Sequence, residues 1–375
     1  MTISANNTPL KSNIKKILSI AIAATLLTGC GSNASDNRFA KEPTQTTQSV
    51  SYKALRMDKD LMEIDTTKTK ASLLELSQKY GESFNIYLLR GIEVAVADRE
   101  GKIDYDTTAQ ILNKGIFANK GYVEIYKDID SVFANGLDKE SEEISQGMTR
   151  FKQFFPEANV PSQFISMFSA FGPGLAIGDK DEIFVSLEYY LGSNYKNYAH
   201  VSGIYDYITP NLRRERIACD VMQNWISNQL PENINGKQRL LEAIVYQGML
   251  LYITEACMPN TPPSDIIGFT KEQWEWCEDN EADMWKFIKN SGVSKNKKFL
   301  YDTDHLTISK FTTPAPTTQF FPVPGSPGRA ANWLGWKIVA SYMSKNKEAK
   351  LPELVKMATQ NDCQTLLEKS GYNPR

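Results

Sequence analysis

The chain has 375 residues, of which 41% are hydrophobic and 11% aromatic, so it can bury a substantial core. Its 42 Lys and Arg residues against 44 Asp and Glu residues give a net charge of −2. This balance, without a clustered basic face, excludes the strongly basic class of nucleic-acid-binding proteins.

The chain begins with the pattern of an export signal. Lys11, Lys15 and Lys16 precede an uncharged apolar block at residues 17–28. As a helix, this block would reach about 18 Å, well short of the roughly 30 Å hydrocarbon core of a bilayer. The pattern therefore predicts a signal peptide and not a transmembrane helix.

The end of the block, Leu27-Thr28-Gly29-Cys30, resembles the lipobox of bacterial lipoproteins. In such a sequence the cysteine thiol takes a diacylglycerol, cleavage follows the glycine, and the new amino group is acylated. We predict a lipoprotein signal peptide at residues 1–29 and a lipid anchor on Cys30, with no other cofactor. The acyl chains would hold the protein in the outer membrane. The absence of an acidic run after Cys30 favours the periplasmic face.

The remainder divides into a tether and one body. Residues 30–50 are polar and are predicted to form a flexible tether. Residues 51–375 contain no internal repeat and are predicted to form a single globular domain.

The first half of this domain, residues 52–147, is predicted to be mostly helical, because apolar residues recur at three- and four-residue steps. Short β-rich pieces follow at 154–174, and residues 183–187 are predicted to form a buried strand. One or two hairpins are therefore expected.

The second half is predicted to be helical again, at 212–228 and 240–256, and the second of these helices should run through the middle of the domain. Thr270 and Gln273 form a capping box. Residues 312–328 contain five prolines and should be irregular, with Pro327 in the first turn of the next helix. The predicted class is α+β, predominantly α-helical.

Four cysteines remain after Cys30. Cys219, Cys257, Cys277 and Cys363 allow three disulfide pairings, and buried free thiols are the alternative. Their spacings match no metal or redox motif, so both states stay open.

The sequence lacks the common catalytic motifs. The chain has two histidines, His200 and His305, and it lacks H-E-x-x-H, G-x-S-x-G and phosphate-binding loops. We therefore predict no metal. Trp274 and Trp285, eleven positions apart, are predicted to share one helix face, as a packing surface or a sugar-stacking platform.

Arg329 is unusual for its position. A cation in the first turn opposes the helix dipole, so a carboxylate partner is expected. Glu281 and Asp283 are the candidates.

A series of segments resembles the GldB family of gliding-motility lipoproteins. In order they are FFP, VSLEYYLG, RRERIACDVMQNWI, LLEAIVYQGMLLY, IGFTKEQWEWCEDNEADMWKF, APTTQFF and SPGRAANWLGWKIVASYM. The similarity covers residues 52–375. It implies a role in gliding, with partners in the motility or secretion machinery of the envelope.

The GldB family is in turn distantly similar to zincin metallopeptidases, which implies a zincin-like scaffold with a small β-sheet or hairpin. The central helix would hold the zinc motif, and strand 183–187 would be the edge that binds substrate. Gly248 and Tyr252 would replace the two histidines, and Met249 would replace the general base. Because none of these side chains can take those roles, the resemblance implies a degenerate metal site and no enzyme activity.

Three functions follow as hypotheses. The first is a non-catalytic protein, anchored in the outer membrane, that binds a partner through a remnant groove containing Glu188, Gly248, Tyr252 and Arg329. The alternative is a metal-independent hydrolase that uses carboxylates such as Glu188 and Glu242. The third is a domain that only stabilises neighbouring envelope proteins.

Overall fold

The computed structural model describes Phe39 and residues 49–375, except 233–237, 293, 295, 296 and 361. The predicted signal peptide (1–29), Cys30 and most of the predicted tether (30–50) lie outside the described residues. After the first 37 residues, Arg38–Arg375 form one compact unit.

The first half of the unit is helical, as the sequence predicts. Two of its helices begin at capping side chains. Asp104 accepts hydrogen bonds from the N–H groups of Asp106 and Thr107, and Asn119 caps the helix that starts at Lys120 in the same way. The helices are α1 (Met57–Met62), α2 (Thr69–Tyr80), α3 (Glu82–Ile86), α4 (Tyr105–Leu112), α5 (Lys120–Val132) and α6 (Asp138–Phe154).

A four-stranded mixed sheet follows α6 in the chain and takes one short strand from before α1. The strands are β1 (Leu55–Arg56), β2 (Gln163–Met167), β3 (Leu175–Ile177) and β4 (Glu182–Ser186), in the order β1-β2-β4-β3. β1 and β2 pair in parallel, as do β2 and β4, whereas β3 and β4 are antiparallel. The sheet thus contains one of the expected hairpins, and its other pairings are parallel.

β4 matches the predicted strand 183–187 to within one residue. Its five residues are all buried, as expected. The expectation that this strand forms a sheet edge is wrong, because β4 lies between β2 and β3 and hydrogen-bonds to both. The edge on that side of the sheet is β3.

The second half of the chain supplies the remaining helices. They are α7 (Ile217–Gln229), α8 (Leu240–Cys257), α9 (Pro263–Ile267), α10 (Lys271–Asp279), α11 (Glu281–Asn290), α12 (His305–Thr312), α13 (Ala330–Lys345), α14 (Leu351–Thr359) and α15 (Cys363–Ser370). The segment between α12 and α13 contains no regular helix or strand, as its prolines predict.

α8 runs through the core, which confirms the prediction for 240–256. Within the described part of the chain, α8 is the one helix long and apolar enough to cross a membrane, but 89% of it is buried inside the fold. Its closest neighbour is α13. The two backbones touch at Gly335, where a Cβ atom would lie only 1.7 Å from the carbonyl oxygen of Ile244.

The predicted tether contacts the body at two points. The ring of Phe39 packs edge-on against Tyr252, with 5.2 Å between ring centroids, and its carbonyl accepts a hydrogen bond from Arg150. The N–H of Val50 donates to Thr149. At these positions the segment 30–50 is not free of the domain.

The two tryptophans do not share a helix face. A break at Asn280 separates α10, which carries Trp274, from α11, which carries Trp285. Trp274 packs on two tryptophans of α13, and Trp285 packs on Tyr372. The packing interpretation is therefore the one that the structure supports.

Two other local predictions have different outcomes. The capping box of Thr270 and Gln273 is present. Pro327 does not lie in the first turn of a helix, since α13 starts at Ala330. The N–H of Ala330 donates to the hydroxyl of Thr318. All four described cysteines are buried and free.

Candidate functional site

The carboxylate of Glu188 is held by backbone N–H groups of the loop that follows β2. Glu188 follows β4 in the short helix Leu187–Tyr190 and is fully buried. Its Oε1 accepts hydrogen bonds from the N–H (2.7 Å) and hydroxyl (2.7 Å) of Ser169 and from the N–H of Phe171 (3.1 Å). Phe171 and Ala170 have φ values of 63° and 55°. This left-handed backbone turns successive N–H groups into one concavity.

The second oxygen of Glu188, Oε2, is buried and has no hydrogen-bond partner among the described residues. Burial raises the pKa of Glu188, against the opposing effect of the hydrogen bonds from Ser169 and Phe171. In this position Glu188 holds the loop after β2 and does not reach the protein surface.

The two positions that the zincin resemblance would place at zinc ligands pack against other parts of the fold. Gly248 lies against the backbone of Gly335 on α13. Tyr252, only 4% exposed, packs on Phe39, and Met249 is fully buried. In the described part of the chain, no three His, Cys, Asp or Glu residues come together to hold a metal ion.

Glu242 has a local role at the start of α8. Its carboxylate accepts hydrogen bonds from the N–H and the guanidinium of Arg239, in a capping box. Glu242 and Glu188 therefore sit in different hydrogen-bond networks and share no partner among the described residues. The hydrolase hypothesis needs the two carboxylates in one cleft, and the contacts of neither residue point to the other.

Arg329 lies in a cluster of charges, but not the one that its sequence position suggests. It precedes α13 in a left-handed conformation, with φ at 54°. Its Nη2 donates to the carbonyl of Ile267 (2.7 Å). Of the two expected carboxylates, Glu281 instead pairs with Lys337 (3.2 Å) and accepts from the hydroxyl of Tyr372. Asp283 is exposed.

The charged groups that act on Arg329 are Arg216, the residue just before α7, and Asp220 in the first turn of α7. The pKa of Arg329 is lowered to about 10, chiefly by burial and also by the positive charge of Arg216, while Asp220 acts in the opposite direction. Asp220 accepts hydrogen bonds from Arg216 and from the hydroxyl of Tyr190 (3.2 Å). We call Arg216, Asp220, Tyr190 and Arg329 the arginine cluster.

A long loop begins and ends beside the arginine cluster. The loop begins at Gly192, whose N–H donates to the carbonyl of Leu212 at the other end. A bridge between Leu191 and Arg213 closes its base. Asn211, at the end of this loop, donates to the carbonyl of Gly268 (3.0 Å). A Cβ atom on Gly268 would lie 2.8 Å from Nη2 of Arg329.

Sequence reasoning identified Arg329 but missed Arg216, Asp220 and Tyr190. The available signal was the run RRERIACD, in which Arg216 and Asp220 are spaced i, i+4 and so share a helix face. Their burial could not be read from that spacing, because it depends on α9 and on the segment before α13.

The outer edge of β3 is a second candidate binding feature of the protein. The N–H of Ser186 donates to the carbonyl of Gly174, and the N–H of Gly178 donates to the carbonyl of Glu182. Bonded and non-bonded pairs alternate in an antiparallel ladder. Leu175 therefore directs its N–H and C=O away from β4, as does Ile177. No hydrogen bond to these four groups occurs within the described residues.

A cavity of about 80 Å³ lies beside this edge. Buried apolar side chains, including Tyr87, Met167 and Phe184, form its walls together with Ile177. The exposed residues Arg90 and Asp179 stand at its rim. This volume is well above the roughly 10–15 Å³ that one water molecule needs, so it has room for the end of an apolar side chain.

Comparison with known proteins gives one result. The family model described as "Gliding motility protein GldB", designated GldB_lipo, matches residues 38–374. No curated protein and no solved structure matches the chain. The resemblance to GldB is therefore confirmed, and the similarity to zincins gains no support. Because the match covers nearly the whole described body, the chain belongs to the GldB family of gliding motility proteins.

Proposed function

We propose that this protein is a lipid-anchored, non-catalytic component of the cell envelope that binds an extended segment of a partner along the free edge of β3. The partner would belong to the motility or secretion machinery, and the anchor would be the acylated Cys30 in the outer membrane, facing the periplasm. The family membership supports the association with gliding.

The observation that carries the proposal is the outward pair of residues on β3. Leu175 and Ile177 offer two N–H donors and two C=O acceptors in the spacing of a strand. An extended chain can bind such an edge by adding a strand, and pockets beside the edge can select alternate side chains. The cavity beside Ile177 provides such a pocket. The binding edge thus moves from strand 183–187, where the sequence placed it, to β3.

The contacts of the other predicted groove residues support a non-catalytic role. Glu188 is surrounded by backbone donors, and Gly248 and Tyr252 are covered by α13 and Phe39. A general acid or base has to come within hydrogen-bond reach of a substrate, and none of these three is open to one.

Site-specific photocrosslinking tests the proposal. A benzophenone amino acid at Leu175 should give crosslinks to envelope proteins in living cells. The same amino acid at Leu306, which is 71% exposed on α12, serves as the control and should not give these adducts. In the Leu175-labelled protein, Ile177→Pro should abolish the crosslinks, because it removes an outward N–H while leaving the bonds to β4 intact. Ile177→Val keeps the N–H and should retain them.

Equal adducts from Leu175 and Leu306 would contradict edge binding. So would adducts that persist in a folded Ile177→Pro protein. If Ile177→Pro leaves all crosslinks unchanged and deletion of the protein lowers the levels of neighbouring lipoproteins, the stabilising role is the better description.

A further inference from the structure

The arginine cluster has more buried positive charge than it can balance. Arg216 is 5% exposed, and one of its nitrogens donates to Asp220. Its Nε and Nη1 are buried and have no hydrogen-bond partner in the described part of the chain. Buried charged groups are costly unless they are paired and hydrogen-bonded, so these two donors require an explanation.

The neighbouring charges do not remove the imbalance. Arg213 and Asp265 form their own ion pair (2.7 Å). The nearby thiol of Cys219 is neutral, because burial raises its pKa to about 11. Two guanidinium groups, Arg216 and Arg329, therefore face one carboxylate. The formal charge of the cluster is +1.

Two members of the cluster keep partial exposure to solvent. The side chain of Asp220 is 23% exposed, and Arg329 is half-buried. Guanidinium Nη2 of Arg329 is fixed by the carbonyl of Ile267. Its orientation is set further by the ring of Phe269, 6.0 Å away, and by the close approach of Gly268. A guanidinium held in this way is preorganised for a ligand.

We propose that the arginine cluster is a binding site for a carboxylate group of a small molecule or of a peptide C-terminus. The planar fork of a guanidinium matches the two oxygens of a carboxylate. A monoanion balances the formal charge of +1, whereas a phosphate dianion would overshoot it. The partly exposed side chain of Asn211, whose Nδ2 donates to the carbonyl of Gly268 (3.0 Å), offers a further polar contact. This site is separate from the β3 edge and does not depend on binding there.

The test uses the full-length protein in detergent and follows the melting temperature, Tm, with three probes at equal ionic strength. N-acetyl-trialanine with a free carboxylate should raise Tm in a saturable manner. Its C-terminal amide and inorganic phosphate should not. Arg329→Gln should raise the half-saturating concentration of the peptide acid at least about tenfold, since hydrogen bonds to a charged group are lost. Arg216→Lys should raise it as well.

Arg239→Gln is the matched control, because it removes an arginine from a different ion pair, at the start of α8. It should leave the response to the peptide acid unchanged. Three results would overturn the proposal: an equal response to acid and amide, a response to phosphate in place of the acid, or an unchanged response in folded Arg329→Gln protein. The absence of any response in the wild-type protein would overturn it too. None of these outcomes bears on crosslinking at β3, so the two proposals fail independently.

Discussion

The backbones of Gly248 and Gly335 are in direct contact where α8 crosses α13, and a Cβ atom on Gly248 would lie 2.2 Å from the carbonyl carbon of Gly335. The contact explains why an apolar helix carries a glycine in its middle. A side chain at either position would push the two helices apart.

We therefore expect Gly248→Ala to destabilise the protein by about 1–3 kcal/mol, the usual range for overpacking. Thermal unfolding measures the change. Gly115→Ala is the control, because no atom lies within 4 Å of its added Cβ, and it should be neutral or slightly stabilising. A Gly248→Ala protein as stable as Gly115→Ala would contradict the observed helix contact.

Glu188 should make stability depend on pH in a definite direction. Its pKa in the folded protein is raised above the usual 4.5, chiefly by burial. The folded protein thus retains a proton that the unfolded chain releases, and its contribution to stability is lost as the pH rises from 4.5 through the folded-state pKa. Glu188→Gln is neutral at every pH and escapes this loss. The difference in Tm, variant minus wild type, should therefore increase as the pH rises above 4.5 and level off above the folded-state pKa.

Glu182→Gln provides the control for this measurement. Burial acts to raise the pKa of Glu182, but the hydrogen bond from Ser83 and the backbone hydrogen bonds outweigh it and lower the pKa below 4.5. Glu182 is thus ionised in both states above pH 5, and its Tm difference should stay flat. A flat profile for Glu188→Gln as well would show that Glu188 does not carry the predicted proton.

The four described thiols should react slowly in the folded protein. Burial raises the pKa of each, that of Cys219 to about 11 and that of Cys363 to about 12. Both burial and the low thiolate fraction suppress reactivity. A chromogenic disulfide reagent should detect all four of them only after denaturation without a reductant, and Cys219→Ala should lower this count by one. Two fewer thiols than expected in the wild-type protein would reveal a disulfide.

The lipid anchor is tested by metabolic labelling. Cells that express the wild-type protein should incorporate labelled palmitate into it if lipoprotein processing acylates Cys30, as we propose. Cys30→Ser should abolish the label, whereas Cys219→Ser should retain it. Label that persists in the Cys30→Ser protein would show that Cys30 is not the acylated residue and would contradict the proposed anchor.

Local sequence patterns predicted the helices and strands of this protein better than they predicted which of these elements pack together. The helix expected at 240–256 and the capping box at Thr270 are present because both depend on residues within a few turns. The strand at 183–187 was also found, but its place between β2 and β3 was not. Strand order depends on long-range pairing, which the period of one strand does not encode.

The candidate site shows the same limit. A carboxylate partner for Arg329 was expected from the helix dipole, yet the guanidinium donates to Ile267, 62 positions away in the chain. Likewise, Trp274 and Trp285 would share a face only if the helix continued through Asn280, where it ends. In both cases the local rule was sound, and a distant element decided the outcome.

The contact between Phe39 and Tyr252 would also limit the distance between the folded body and the bilayer. If residue 30 is held at the lipid surface, only nine residue steps separate it from the ring that is seated on α8. Fully stretched, such a span measures about 30 Å. The contact between Phe39 and Tyr252 would then stay within about 30 Å of the lipid surface, so a partner would meet the protein close to the membrane.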